Sequence, residues 1–488
     1  MQLMPSSPLS PRCAPWRARL RAVALAAATG WVGVCLGADG LPVAFDTALA
    51  RARVPRDAVS VVLAEAQPGG ATVWSHRAQA AMNPASVMKL VTTYAALDQL
   101  GPAFTWATPV YVEGAVRDGT LTGRLWIQGQ GDPHLVLENL WLLLRRVQQS
   151  LGIERIVGDI VLDNTAFAPS PTQPGDFDGE PLSAYNAAPD ALLINFKSVL
   201  LTITPDTAQG VAHLQWDPPL AGVQMPRTVA LTSGDCGDYR AALKADFTDP
   251  LRFRVLGSYA AACKEKTWPF AYADPANYAP RAVQGLWQSM GGQLQGSVRL
   301  GTLPAQASSW QPALVARSAS LAEIVRDINK YSNNVMAQQL FLTLGRAASG
   351  TSADLPSARA ALLTWWQQRL GSVEPPVLDN GSGLSRSERI SAQALARLLQ
   401  TAHASTLMPE LMASLPIYGV DGTLRRVPQA VGGGAHLKTG SLADVTALGG
   451  YVHAASGKRY VLVAIVNHAN ARAARTALQT LVQAAIAL

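Results

Sequence analysis

Pro84-Ala85-Ser86-Val87-Met88-Lys89-Leu90 is the stretch from which the fold is read: it sets a serine one helical turn ahead of a lysine. On a helix, positions i and i+3 share a face, so Ser86 Oγ and Lys89 Nζ come within hydrogen-bond reach without any long-range contact. Pro84 is a start signal, and Val87, Met88, Leu90, Val91 and Tyr94 follow at helical spacing, which predicts Ser86 at a helix N-terminus. Unpaired N–H groups and the positive end of the helix dipole there favour the negative charge that grows when a carbonyl is attacked. A lysine takes a serine proton only when it is neutral. Bringing its pKa from about 10.4 to about 7 or 8 requires about 4 kcal/mol from burial and neighbouring cations. A second cation is therefore expected nearby. Taken alone, the pair is equally well a serine cap and a solvated lysine.

The rest of the chain sets the bounds. Its 488 residues are 49% hydrophobic and 15% charged, enough for large cores and two or three domains. Arg12, Arg17, Arg19 and Arg21 precede the uncharged run Ala22 to Gly37, which is short for a membrane span and reads as a secretory signal peptide over residues 1–37. An uncleaved anchor is the alternative reading. Val34 before Cys35 makes that cysteine a poor lipoprotein acceptor. Removing residues 1–37 deletes four arginines and no acid, so the formal charge falls from +7 to +3. No basic run with interleaved aromatics survives, which leaves nucleic-acid binding without support. At most a peripheral attraction to an anionic wall polymer or membrane surface remains. Cys236 and Cys263 are left after processing. In an oxidising compartment they can pair, closing a loop of roughly 27 residues worth about 3.5 kcal/mol; buried free thiols are the alternative.

The pattern along the chain is predicted to be α+β. A helix over Leu41 to Arg53, strands at Val59 to Ala64 and Ala71 to His76, and the helix led by Ser86 come first. From Thr105 to about Pro304 short strands alternate with Gly, Pro and Asp, with one clear helix at Leu140 to Leu151. Long helices return after a linker at Gly301 to Pro312. Strands at Leu448 to His453 and Tyr460 to Asn467, then a helix over Ala471 to Leu488, close the chain. Terminal segments of matching character predict one discontinuous domain, residues 38–104 and 305–488. The 105–304 insertion is expected to hold two β-rich domains, the inner one at about 120–188.

Two further motifs follow Ser86-x-x-Lys89 in order, Ser332-x-Asn334 and Lys438-Thr439-Gly440. Each has a separable task. Ser86 attacks a carbonyl and Lys89 takes its proton. Ser332 relays a proton to the leaving nitrogen, and the Asn334 carboxamide bonds both Lys89 and a substrate amide. Lys438 brings the second cation, and with Thr439 it holds a terminal carboxylate. Gly440 lets a substrate backbone approach the strand edge, and the N–H groups of Ser441 and Ser86 form an oxyanion hole. Asp163, with Phe167 after it, ends a strand and can point a carboxylate at a ligand; Gly129 to His134 reads as a tight turn.

This ordered set is known from penicillin-binding proteins and class A β-lactamases. At full length the chain resembles the low-molecular-mass class C penicillin-binding proteins, the D-alanyl-D-alanine carboxypeptidases/endopeptidases of the bacterial cell wall. Beyond the three motifs, the resemblance rests on Gly129-Gln130-Gly131-Asp132-Pro133, on Asn380-Gly381-Ser382-Gly383-Leu384-Ser385-Arg386, on Gly419-Val420-Asp421-Gly422-Thr423, and on the long insertion. Asn380 stands where many members have Asp. The resemblance implies a penicillin-recognising, transpeptidase/β-lactamase-like domain, an antiparallel sheet flanked by helices, interrupted by β-rich insertion domains. It implies a periplasmic enzyme of a Gram-negative-type bacterium that acts on peptidoglycan peptides and binds β-lactams, with no metal or organic cofactor. It also places Asp163 and Arg386 as contacts to the diaminopimelate part of the stem.

Overall fold

The computed structural model describes residues 40–427 and 432–488; the expected leader, residues 1–37 with Cys35, lies outside the described residues. A five-stranded antiparallel sheet carries the two ends of the described chain. We label its strands β1 (Val59–Glu65), β2 (Thr72–His76), β3 (Ala435–Ser441), β4 (Val445–His453) and β5 (Arg459–Asn467); their spatial order is β3-β4-β5-β1-β2. Strand alternation divides its side chains between two cores. Val59, Val61, Leu63, Leu462 and Ala464 face one layer, packed by Phe45 and Leu49 of helix α1 (Val43–Ala52) and by Leu478 and Leu481 of a C-terminal helix (Arg475–Ala487). Val62, Ala64, Val461, Val463 and Ile465 face the other. There they meet Leu90 and Val91 of α2 (Lys89–Leu100) and Leu340, Leu362 and Leu395 of three later helices. These are Asn334–Ser349, Leu355–Leu370 and Ala392–His403. With Leu321–Tyr331 and Met408–Ser414 they become, in chain order, α3 (Leu321–Tyr331), α4 (Asn334–Ser349), α5 (Leu355–Leu370), α6 (Ala392–His403) and α7 (Met408–Ser414), and the C-terminal helix is α8. Both faces of the sheet are covered, which is why β4 and β5 read as continuous apolar runs.

Ser86 departs from the expected placement. It sits in a single 3-10 turn, Ala85–Met88, and α2 begins only at Lys89. Ala85 has φ +47°, a conformation that non-glycine residues rarely adopt, so the turn is held by its surroundings. Two glycines do that holding. A Cβ on Gly383 would meet the Ala85 carbonyl, and one on Gly440 the Pro84 carbonyl, so loop 379–387 and edge strand β3 pack directly on the serine turn.

Within residues 107–317, a seven-stranded sheet takes strands at 107–117, 120–128, 155–157, 160–163, 293–295, 298–300 and 314–317. Its first hairpin turns at Asp118-Gly119, both with positive φ, the signature of a two-residue turn. A smaller five-stranded sheet is drawn from 198–271. Residues 120–188, expected as an inner domain, instead supply strands and the helix Leu137–Ser150 to the larger sheet. The signal was misleading because that sheet is closed by strands from distant parts of the chain. A helix at Pro275–Ser289 was also not foreseen: Pro275 suits its first turn, but Pro280 inside it reads as a breaker. Cys236 and Cys263 form a disulfide in the smaller sheet's region.

Candidate active site

Lys89 opens α2 with its side chain fully buried, and its ammonium nitrogen contacts three oxygens. It lies 2.9 Å from Ser86 Oγ, 2.7 Å from Asn334 Oδ1 and 2.5 Å from the Ser382 carbonyl. The i, i+3 spacing therefore brings the serine and lysine together across the junction of the 3-10 turn and the helix. Burial lowers the Lys89 pKa to about 7, against the opposing pull of the Glu388 carboxylate. Of the two expected causes, burial and a neighbouring cation, burial is the larger at Lys89 and brings it into the range where it is partly neutral. Lys438 is likewise held well below its ordinary value, first by burial and then by repulsion from Lys89.

Lys438, buried on β3, donates to Ser332 Oγ at 2.8 Å and to the Thr439 carbonyl at 2.8 Å. Ser332 caps the C-terminal end of α3 with φ +59°, which turns its hydroxyl toward β3 before Asn333 caps the start of α4. Asn334, at the first position of α4, accepts from Lys89 through Oδ1 and donates Nδ2 to the Tyr185 carbonyl at 3.2 Å. Thr439 Oγ1 lies 2.8 Å from Thr423 Oγ1, and Ser441 Oγ accepts from Arg475 at 3.4 Å. The structure thus brings Ser86, Lys89, Ser332, Asn334 and Lys438 into one hydrogen-bonded cluster, with Thr439, Gly440 and Ser441 along its β3 edge.

The Asn380 loop is organised from within. Asn380 Nδ2 donates to the Leu384 carbonyl while its Oδ1 accepts from Ser382 N and Oγ. A carboxamide does both, whereas an ionised Asp only accepts. Behind it Glu388, fully buried, accepts from the N–H groups of Asp379, Asn380 and Gly381 at 3.2, 3.1 and 2.8 Å. Those bonds fix the loop that aims the Ser382 carbonyl at Lys89. Glu388 escaped the sequence reading because a lone Glu between Ser387 and Arg389 looks like a solvated turn residue. Lys330 Nζ and Asp421, 2.6 Å apart, tie α3 to the Gly419–Thr423 segment and were likewise not foreseen.

The two expected stem contacts part company. Arg386 reaches the cleft wall, pairing with Asp444 at 3.3 Å and lying 4.4 Å over the Phe177 ring. Asp163 is 2% exposed and accepts from Thr165 N, Thr165 Oγ1 and Leu303 N. Phe167 behind it packs on Gly131. A strand-end Asp with a Thr two residues on closes its own turn. The inserted region does meet α4. Gln339 donates to the carbonyls of Asp190 and Gly131 and accepts from Asp190 N, so one carboxamide secures two insertion loops beside the site. The GQGDP stretch is a turn, with Asp132 accepting from His134 N at 2.8 Å. Burial raises the Asp132 carboxyl to about 6.

Fold and cluster define a penicillin-recognising serine hydrolase with a large inserted region. The chain belongs to the peptidase S13 family, described as D-Ala-D-Ala carboxypeptidase 3, whose sequence pattern matches residues 41–488. It is thereby a serine-type D-Ala-D-Ala carboxypeptidase. A D-alanyl-D-alanine carboxypeptidase of Actinomadura sp. strain R39 is 29% identical over 441 residues, covering 86% of this chain and 80% of that one. The D-alanyl-D-alanine carboxypeptidase DacB of Haemophilus influenzae is 26% identical over 392 residues, covering 79% and 80%. The crystal structure of penicillin binding protein 4 from Haemophilus influenzae shares the fold, with a TM-score of 0.70 at 22% identity over 90% of this chain and 99% of that one. Among the described residues no helix is long and apolar enough to cross a membrane.

Proposed function

We propose that the chain is a periplasmic D,D-peptidase that works through an acyl-enzyme on Ser86, removing terminal D-Ala from peptidoglycan stems and cutting D-Ala cross-links between them. In this reading residues 38–104 and 305–488 form the catalytic part and residues 105–304 an insertion that shapes the cleft. The observation that carries it is a buried lysine with a pKa of about 7 placed 2.9 Å from a half-buried serine hydroxyl. Neutral Lys89 takes the Ser86 proton as Oγ attacks the scissile carbonyl, and the N–H groups of Ser86 and Ser441 receive the oxyanion. The proton passes through Ser332 to the leaving nitrogen, with Lys438 holding the Ser332 hydroxyl in place. Water then attacks the ester and returns the serine. Asn334, already bonded to Lys89, offers Nδ2 to a substrate amide once Tyr185 gives way. β-Lactams enter the same path as acylating agents, and export by the 1–37 leader places the enzyme where the wall is.

Release of D-Ala from a D-Ala-D-Ala peptide, and of monomers from a cross-linked dimer, should be measured for wild type and Ser86→Ala. Both reactions are expected to vanish in the variant. Hydrolysis of either substrate by Ser86→Ala would overturn the assignment.

A further inference from the structure

The three oxygens around Lys89 Nζ differ in what they can exchange. Asn334 Oδ1 and the Ser382 carbonyl only accept, whereas the Ser86 hydroxyl also carries a proton to give. A protonated lysine donates to all three. A neutral one has two N–H groups and one lone pair, so the two fixed acceptors take the N–H groups and leave the lone pair facing Ser86 Oγ. The Ser382 carbonyl is thus half of what aims the base. It sits between Gly381 at φ +71° and Gly383 at φ +81°, in a turn whose glycines leave the backbone free to swing. Asn380 bridges that turn. Half-buried, it accepts from Ser382 N at 3.0 Å and Ser382 Oγ at 2.7 Å, and donates Nδ2 to the Leu384 carbonyl at 2.9 Å. Its carboxamide therefore ties the chain on both sides of the Ser382 carbonyl. The charged groups that act on or feel Lys89 are Glu388, just after the loop, and Lys438 of β3. Asp379 acts in turn on Glu388 and is paired with Arg359 of α5 at 2.9 Å.

We infer that Asn380 is a positioning residue for the base: its neutral carboxamide holds the Ser382 carbonyl on Lys89, so that the lone pair is left for Ser86, and it brings no negative charge to the site. The inference rests on the assignment of Ser86 as nucleophile and Lys89 as base, and deepens it by naming what orients the amine. Two substitutions separate geometry from electrostatics. Asn380→Asp keeps the acceptor bonds to Ser382, loses the donor to Leu384 and adds a carboxylate next to the residue whose carbonyl meets the lysine. An opposite charge there favours the ammonium, so Lys89 becomes neutral only at higher pH. Asn380→Ala loses the bonds on both sides of Ser382 and leaves the charge as it is.

The test is single-turnover acylation by an excess of a chromogenic cephalosporin, from about pH 5 to about pH 9, on wild type, Asn380→Ala and Asn380→Asp. The first-order constant at saturation does not depend on how much of a sample is folded, so a lower yield of active enzyme leaves it unmoved. In Asn380→Ala it is expected to fall about tenfold on the alkaline plateau, with the midpoint of the acid limb and the initial binding constant unchanged. In Asn380→Asp the midpoint is expected to rise by about one pH unit, while the plateau recovers part of what Asn380→Ala loses. A wild-type plateau in Asn380→Ala, or an unmoved midpoint in Asn380→Asp, overturns the inference. Failure of the underlying reading looks different: Ser86→Ala would then still be acylated by the cephalosporin, whatever Asn380 does.

Discussion

Lowering the pH from about 8 to about 5 should remove the base on which Ser86 depends. At its ordinary value a lysine is neutral in about one molecule in three thousand at pH 7; with the Lys89 pKa at about 7 it is neutral in about half. The difference corresponds to about 5 kcal/mol of preference for the neutral form, supplied by complete burial against the pull of Glu388. The sign follows from which form reacts. The neutral amine accepts the Ser86 proton, so acylation is lost as pH falls through about 7, tenfold per unit well below it. The same depression makes the unfolded chain bind more protons than the folded one between about 7 and the ordinary lysine range. This one group therefore makes stability rise with pH over that interval. The assay is stopped-flow acylation by a chromogenic cephalosporin in saturating and subsaturating regimes across that pH range. The expected result is an acid limb in the second-order rate constant with a midpoint near 7. A rate flat from pH 5 to 8, or a midpoint near 10, would refute the reasoning.

Two substitutions probe the support of that lysine. Glu388→Gln removes the carboxylate that opposes the depression of Lys89, so the acid limb should move to lower pH. Loss of charge in a nest of three N–H bonds should also cost about 2 kcal/mol in denaturant unfolding; an unmoved limb would show that Glu388 is not charged in the active enzyme. Gly383→Ala places a Cβ against the Ala85 carbonyl at φ +81°, and should cost about 2 kcal/mol or more while displacing the serine turn. A normal acylation rate in that variant would mean that the loop does not hold Ser86.

What the sequence disclosed follows the range of the interactions involved. Ser86 and Lys89 are three residues apart, and Ser332 and Asn334 straddle a helix start, so local spacing was enough to suggest their chemistry. The meeting of Asn334 with Lys89 spans 245 residues, and only the ordered recurrence of three motifs pointed to it. Burial was expected as one cause of the lowered Lys89 pKa, but its extent could not be read from the motif, because burial depth is a property of the packed core. The terminal sheet was legible from its apolar runs, whereas the larger inserted sheet was not: its parallel pairs join 155–163 to 293–300 with no short turn between them. At Asp163 the sequence showed only a carboxylate at a strand end; its turn with Thr165 is a detail of the folded chain. Glu388 carried no local signal at all. Its meaning comes from the backbone nest that the fold sets against it.

The central claim is that Ser86 is the acylated nucleophile, and mapping the covalent adduct tests it most directly. Intact-mass and peptide mass spectrometry after brief exposure to benzylpenicillin should find one penicilloyl group, on the peptide that contains Ser86, and none in Ser86→Ala. An adduct on any other residue, or a full-occupancy adduct in Ser86→Ala, would contradict the account.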